Sequence, residues 1–269
     1  MQTLSGEPPS DFWQKANYQR FPGGRKKLRV LAETILREFT TRPRVLDVGC
    51  GNGSLTFPIA TLGCEVVGVD TDGESVDSCK SRNEFPNVRF VQTDGTLRTV
   101  DGFFDLIVCS EVLEHLREPR ALLASMREKL APGGSIFLTI PNGYGLREIG
   151  GRGERFLRER CRLDRPLAAL RRLLGRVGMP SATEKYQMHT SNPDQGHVQK
   201  FTRRRIIDLL RAEGLELSLW WSSFVILSVF YCRSGESSIE RLDSWAADHL
   251  PVACASGWFI TARGVAAAS

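Results

Sequence analysis

The stretch Arg44-Val45-Leu46-Asp47-Val48-Gly49-Cys50-Gly51-Asn52-Gly53 constrains this chain more than any other. Val45 to Val48 is an apolar run interrupted only by Asp47, the pattern of a strand buried on both faces. Glycine then falls at every second position, at Gly49, Gly51 and Gly53. Without a Cβ the backbone can turn tightly there and approach a ligand closely. Ser54 to Leu62 reads as the opening of a helix, so a ligand held by this turn would lie against a helix N-terminus. The fingerprint of a dinucleotide turn, G-x-G-x-x-G, is not met. The third glycine comes one residue early, and Ser54 stands where that fingerprint needs glycine. Asp47, an acid inside a core strand, requires a partner.

The rest of the chain alternates strand and helix signals. Arg25 to Phe39 carries Leu28, Leu31, Ile35, Leu36 and Phe39 at helical spacing. A second strand, Glu65 to Asp70, ends on an acid about twenty residues past the glycine turn, where such folds set a carboxylate on ribose hydroxyls. An ionised carboxylate accepts bonds from both hydroxyls; alternatively Asp70 caps the helix that starts near Asp72. A third strand, Val88 to Asp94, runs into Gly95, and Asp-Gly is also a plain turn signal. A fourth, Phe104 to Ser110, is followed by Glu111-Val112-Leu113-Glu114-His115-Leu116. After Pro119 a helix leads to Leu130-Ala131-Pro132-Gly133-Gly134 and a fifth strand, Ser135 to Ile140. Thr202 is an N-cap for a helix that Gly214 stops. Leu215 to Ser223 and Ser256 to Arg263 supply a sixth and a seventh strand. This alternation predicts a parallel sheet with right-handed crossovers.

Gly143 to His197 breaks the rhythm. It holds ten arginines between Arg147 and Arg176 and a leucine stripe through Leu163, Leu167, Leu170, Leu173 and Leu174. Such a segment is a solvated helical cap, a lid over an acidic substrate, or a patch lying on an anionic membrane. The net charge of +5 over 269 residues gains its meaning there. Phe224 to Phe230 is very apolar and reads as core, or as contact for an acyl chain. The seven cysteines are scattered without a C-x-x-C pair, which predicts free thiols in a reducing cytoplasm. Met1 to Ser10 lacks the layout of a signal peptide. No apolar run reaches the ~20 residues of a membrane span.

Three stretches together resemble the motifs of class I S-adenosylmethionine-dependent methyltransferases. They are the glycine turn, Phe104 to Leu116 (F-D-L-I-V-C-S-E-V-L-E-H-L), and Leu-Ala-Pro-Gly-Gly before the fifth strand. The resemblance covers Lys27 to Asn142 well and Phe201 to Gly264 more loosely, the latter through His197 and Phe201-Thr202. It implies an α/β fold: a Rossmann-like, seven-stranded, mostly parallel sheet with helices on both faces and a helical insertion after the fifth strand. The implied organisation is an N-terminal flap at 1–24 and a cofactor-binding core at 25–142. An arginine-rich insertion at 143–200 and a C-terminal completion of the sheet at 201–269 follow. The aromatic residues Phe12, Trp13, Tyr18 and Phe21 of the flap either cover the cofactor or pack against the domain.

By the same resemblance, Asp47, Gly49, Cys50, Gly51 and Gly53 hold the methionine part of S-adenosyl-L-methionine. Asp70 and Thr71 lie at the ribose, Asp94 and Gly95 at the adenine, and Ser110 and Glu111 complete the set. The pattern Glu-x-x-Glu-His with a distant His is similar to two branches, the ubiquinone-biosynthesis O-methyltransferases and the small-RNA 2′-O-methyltransferases. Both are associated with a divalent metal. That implies Glu111, Glu114, His115 and His197 as ligands of Mg, Mn or Zn, with the imidazoles suiting Zn or Mn better than Mg. Without a metal, His115 and His197 are the catalytic candidates, His115 as a base; or Glu114-His115 merely caps a helix. If helical, Glu111 and His115 share one face. The expected function is O-methylation of a small or lipid-linked acceptor by in-line transfer, in the cytoplasm or peripheral to an anionic membrane. The alternatives are RNA 2′-O-methylation, for which no nucleic-acid motif stands elsewhere, and a cofactor-binding interaction protein without turnover.

Overall fold

The computed structural model describes residues 8, 10–15, 24–145, 198–223 and 238–264. Among these, seven strands form a single sheet: β1 (Arg44–Val48), β2 (Glu65–Asp70), β3 (Val88–Gln92), β4 (Phe104–Ser110), β5 (Leu130–Pro141), β6 (Leu215–Ser222) and β7 (Gly257–Gly264). The helices are α1 (Ser10–Lys15), α2 (Gly24–Glu38), α3 (Thr56–Thr61), α4 (Gly73–Arg82), α5 (Pro119–Lys129), α6 (Arg203–Ala212) and α7 (Ser238–His249). The strand order is β3-β2-β1-β4-β5-β7-β6. β1 to β5 pair in parallel, β7 runs antiparallel to β5, and β6 antiparallel to β7. The expected mostly parallel, seven-stranded α/β sheet is the one observed.

The order explains where a ligand belongs. From β1 the chain winds outward through β2 and β3, then returns to the other side of β1 for β4 and β5. Adjacent crossovers leave on opposite faces at β1 and β4, and a crevice opens beyond their carboxyl ends. One face packs α1, α2 and α3, with Phe12, Leu28, Leu31, Ile35 and Ile59 fully buried. The other packs α5 and α6 through Leu123, Met126, Ile206 and Leu210 against Trp258 and Ile260. Each buried side chain of this size contributes roughly 1.5–3 kcal/mol.

Two boundaries differ from the sequence reading. β5 begins at Leu130 rather than Ser135, because Leu130 pairs with Phe104 before a bulge through Gly133 and Gly134 restores the register at Leu106↔Ser135. The helix after the glycine turn begins only at Thr56, since residues 51–55 form turns. Of the expected flap, residues 10–15 are described: Phe12 is in the core and Lys15 pairs with Glu84. Tyr18 and Phe21 lie outside the described residues.

Because β7 is antiparallel, its first residue pairs with Pro141 at the carboxyl edge of the parallel strands. α7 and the turn at Val252–Cys254 therefore sit at that edge, tied there by Asn142, whose amide donates to the carbonyls of Ala253 and Ala255. Phe201 returns to the same edge through a parallel bridge with Asn142. Thr202 then caps α6, its hydroxyl accepting from Arg205 N. The arginine-rich segment and Phe224 to Phe230 lie outside the described residues, apart from 143–145 and 198–200. Among the described residues no helix is long and apolar enough to cross a membrane.

Candidate active site

The glycine turn is wound by three left-handed residues, Gly49 (φ 73°), Gly51 (φ 48°) and Gly53 (φ 77°). This explains the spacing: alternating left-handed positions fold the loop back over β2. Gly49 N and Cys50 N both donate to Val69 O, at 2.8 and 3.0 Å. A Cβ on Gly49 would come within 2.4 Å of Val112 Cγ2, so the loop also touches the segment after β4.

Asp70 closes the loop from the other side. Its Oδ2 accepts from Gly51 N at 2.8 Å and its Oδ1 from Asp72 N at 3.0 Å. The residue that caps α4 is Asp72, which accepts from Ser75 N. Asp47 is buried in β1 and takes a 2.6 Å hydrogen bond from Thr56 Oγ1, the partner a core acid requires. Burial pushes its carboxyl up to about 6, and the Thr56 bond opposes this. Asp94 is on the surface after β3. Its Oδ1 accepts from Thr96 Oγ1 and Thr96 N, which hold its carboxyl below the usual range. Thr71 and Gly95 stand nearby, a Cβ on Gly95 being 3.7 Å from Thr71 Cγ2. Asp47, the glycine turn, Asp70, Thr71, Asp94 and Ser110 thus line up at the carboxyl ends of β1 to β4.

The segment after β4 departs from expectation. Glu111 is itself left-handed, with φ 56°, and only Leu113–His115 forms a short 3-10 helix. Glu111 and His115 therefore do not share a helical face. A left-handed non-glycine costs roughly 1–2 kcal/mol, and here the carboxylate is what holds it. Glu111 Oε1 accepts from Thr139 Oγ1 at 2.7 Å and faces Lys27 Nζ at 3.4 Å. Lys27 also donates to Ser110 Oγ at 3.0 Å, and Ser110 and Thr139 hydroxyls are 2.8 Å apart.

Sequence reasoning missed Lys27. Its signal was a lysine on the apolar stripe of α2, next to Leu28 and one turn before Leu31, where a charge is not buried unless paired. Its ammonium puts positive charge at the end of β4, facing the crevice side of the glycine turn.

Glu114 is fully buried, and neither of its carboxylate oxygens accepts a hydrogen bond among the described residues. Burial first, and then the neighbouring Glu111 carboxylate, push its carboxyl well above the ordinary range, favouring the neutral acid that hydrogen-bonds to Glu111. His115 Nε2 lies 3.9 Å from Glu114 Oε1. The Glu114 carbonyl accepts from Val198 N and Gln199 N, bringing the residues that follow the insertion beside it. His197 lies outside the described residues.

Do these residues fit a metal? Glu111 is engaged by Thr139 and Lys27, and an ammonium already stands where a cation would bind. Among the described residues no group of three or more His, Cys, Asp or Glu converges as a ligand set. The described residues do not by themselves make a metal site.

Fold and crevice together define an S-adenosylmethionine-dependent methyltransferase. A family profile described as a methyltransferase domain matches residues 18–218, and the chain belongs to that family. It is 36% identical over 115 residues to the mitochondrial ubiquinone biosynthesis O-methyltransferase of Rattus norvegicus, covering 40% of this chain and 33% of that protein. It is 34% identical over 144 residues to the ubiquinone biosynthesis O-methyltransferase of Xanthomonas euvesicatoria pv. vesicatoria, covering 48% of this chain and 59% of that one. The matched stretches thus span less than two thirds of either relative. In fold it is similar to magnesium protoporphyrin IX methyltransferase from Synechocystis PCC 6803 with bound SAH, at TM-score 0.56 and 16% identity over 97% of this chain and 91% of that one. The glycopeptide N-methyltransferase MtfA is similar at TM-score 0.52 and 17% identity over 97% and 99%.

Proposed function

We propose that this methyltransferase methylates a hydroxyl oxygen of a small or lipid-linked, aromatic or anionic acceptor. The observation that carries the reading is the group of Glu111, Glu114 and His115 at the carboxyl end of β4. A hydroxyl must lose its proton as it attacks, and a half-buried imidazole 3.9 Å from a carboxyl suits that task. The resemblance to relatives named as ubiquinone biosynthesis O-methyltransferases supports it further.

S-adenosylmethionine supplies a methyl carbon on a sulfonium, which is displaced in line. Asp70 and Thr71 hold the ribose, Asp94 and Gly95 the adenine, and Asp47, Gly49, Cys50, Gly51, Gly53, Ser110 and Glu111 surround the methionine part. Lys27 Nζ keeps Glu111 and Ser110 in place. His115 takes the acceptor's proton while the oxygen bonds to the methyl carbon; the carbon–sulfur bond breaks and its electron pair stays on sulfur. Alignment of acceptor and donor supplies as much as ~7–11 kcal/mol of barrier lowering. No step runs through a metal.

Incubation of the protein with S-adenosylmethionine and a catechol or prenylated phenol tests the reading, with the methyl ether identified by mass spectrometry. His115→Gln should lower kcat by about 100-fold or more and remove the ascending limb of its pH profile, with cofactor affinity unchanged. Turnover should persist under exhaustive chelation. Loss that Mg, Mn or Zn restores would return Glu111, Glu114, His115 and His197 to the role of ligands. Methylation confined to nitrogen or carbon nucleophiles would overturn the oxygen assignment.

A further inference from the structure

Between the first turns of α5 and α6 lies an open groove of about 410 Å³, lined by Arg120, Thr202, Arg204, Arg205, Asp208 and Leu209 among others. Its charge is unusual for a helix start. Arg203, Arg204 and Arg205 open α6, and neither its first turn nor that of α5 holds an acid. The positive end of a helix favours carboxylates, and each cation placed there costs roughly 0.3–1 kcal/mol. Folding offers little in exchange at Arg204, whose side chain is 92% exposed with its nearest acid, Asp208, at 3.7 Å.

The two neighbouring guanidinium groups are held in place. Arg205 donates to Lys200 O at 3.2 Å and to Gln199 Oε1, and it lies over the Phe201 ring at 5.3 Å. Arg120 Nε donates to Glu213 Oε1. A guanidinium carries five donors in a planar fork, so these partners use only part of each group. Fixed forks with donors to spare suit phosphate, which they bind bidentately. The groove also opens beside the reaction. Residues 198–201, which lead into it, bond to the Glu114 carbonyl and bridge Asn142 at the carboxyl edge of the sheet.

We propose that this groove is a phosphate-binding subsite at the mouth of the crevice, seating a phosphate of the acceptor or of a lipid headgroup while the methyl is transferred. The proposal holds whether the methylated atom is oxygen or another nucleophile, and its test reads binding rather than turnover. Arg120, Thr202, Arg204 and Arg205 are its residues, with Asp208 setting the limit to how many charges an anion can bring.

The test uses the full chain, with inorganic phosphate as one probe and vesicles of phosphatidylglycerol or phosphatidylcholine as the others. Amide chemical shifts of Thr202 to Arg205 follow the first probe and co-sedimentation the second. Arg120→Gln/Arg204→Gln should weaken binding at least tenfold and leave S-adenosylmethionine affinity unchanged. Arg204→Glu alone, at the most exposed position, should do the same without disturbing the fold. Saturable shifts with phosphate assign the subsite to a soluble phosphorylated acceptor. Preference for phosphatidylglycerol vesicles without such shifts assigns it to a headgroup, and either result supports the proposal. Binding of neither probe, or binding that both variants retain in full, would overturn it. Tighter, arginine-dependent binding of single-stranded RNA than of both probes would replace a discrete phosphate by a nucleic-acid track.

Discussion

Asp47 shows how one residue carries both fold and site. Its folded carboxyl stands at about 6, whereas an unfolded aspartate titrates near 3.9. Between those values the folded state binds more protons, so this residue's contribution makes stability fall as pH rises from about 4 to about 6. Above that window the penalty is constant, at roughly 3 kcal/mol for two pKa units. Asp47→Asn keeps an acceptor for Thr56 and loses the titration. Denaturant unfolding should find the variant about 1–3 kcal/mol more stable than the parent at pH 7 and nearly equal at pH 4. A variant less stable at pH 7 would mean that the charge is offset by groups around it. Asp70 acts in the opposite sense, since both its oxygens already tie the glycine turn to β2. Asp70→Ala should weaken S-adenosylmethionine binding by roughly 1–3 kcal/mol. Unchanged affinity by calorimetry in a folded variant would remove Asp70 from the ribose.

At the scale of elements, the glycine turn and the segment after β4 act as one unit. Gly49→Ala would force a left-handed alanine, at roughly 1–2 kcal/mol, and push its methyl into Val112. Displacing a packed valine adds about 1–3 kcal/mol more. Thermal unfolding should drop accordingly, and cofactor affinity with it; a fully stable, fully binding variant would show that the loop can be rebuilt around a side chain. α6 is simpler. Thr202→Ala removes the hydroxyl that accepts from Arg205 N and should cost about 1 kcal/mol. Because α6 packs on the face away from α2, that loss should leave S-adenosylmethionine affinity unchanged.

For the whole molecule, the carboxyl edge is where both ends of the insertion meet. Gly143 N donates to Phe201 O, and Lys200 packs against Gly143 closely enough that a Cβ there would lie 2.7 Å from Lys200 Cβ. Residues 146–197 are therefore replaceable by a short glycine linker without moving β5 or α6. The expected product folds and binds S-adenosylmethionine but turns over no acceptor. Loss of cofactor binding as well would make the segment part of the core.

The sequence by itself determined what depends on near neighbours in the chain. The glycines at alternate positions after β1 dictate a left-handed loop, Thr202 ahead of the arginines marks a helix start, and acids ending β2 and β3 follow from strand length. The alternation of strands and helices determined a parallel sheet, and the sheet determined which edge holds a ligand. Tertiary structure alone decided what depends on distant segments. Lys27 and Glu111 meet only because α2 packs beside β4 across 84 residues of chain. The left-handed turn at Glu111, invisible to a helical reading of Glu-x-x-Glu-His, exists because Thr139 on β5 and Lys27 on α2 bind its carboxylate. Glu114 is neutral because burial removes water from it and a second carboxyl stands beside it. Short-range spacing fixes backbone turns, whereas charge and desolvation are set by whatever the rest of the fold brings into contact.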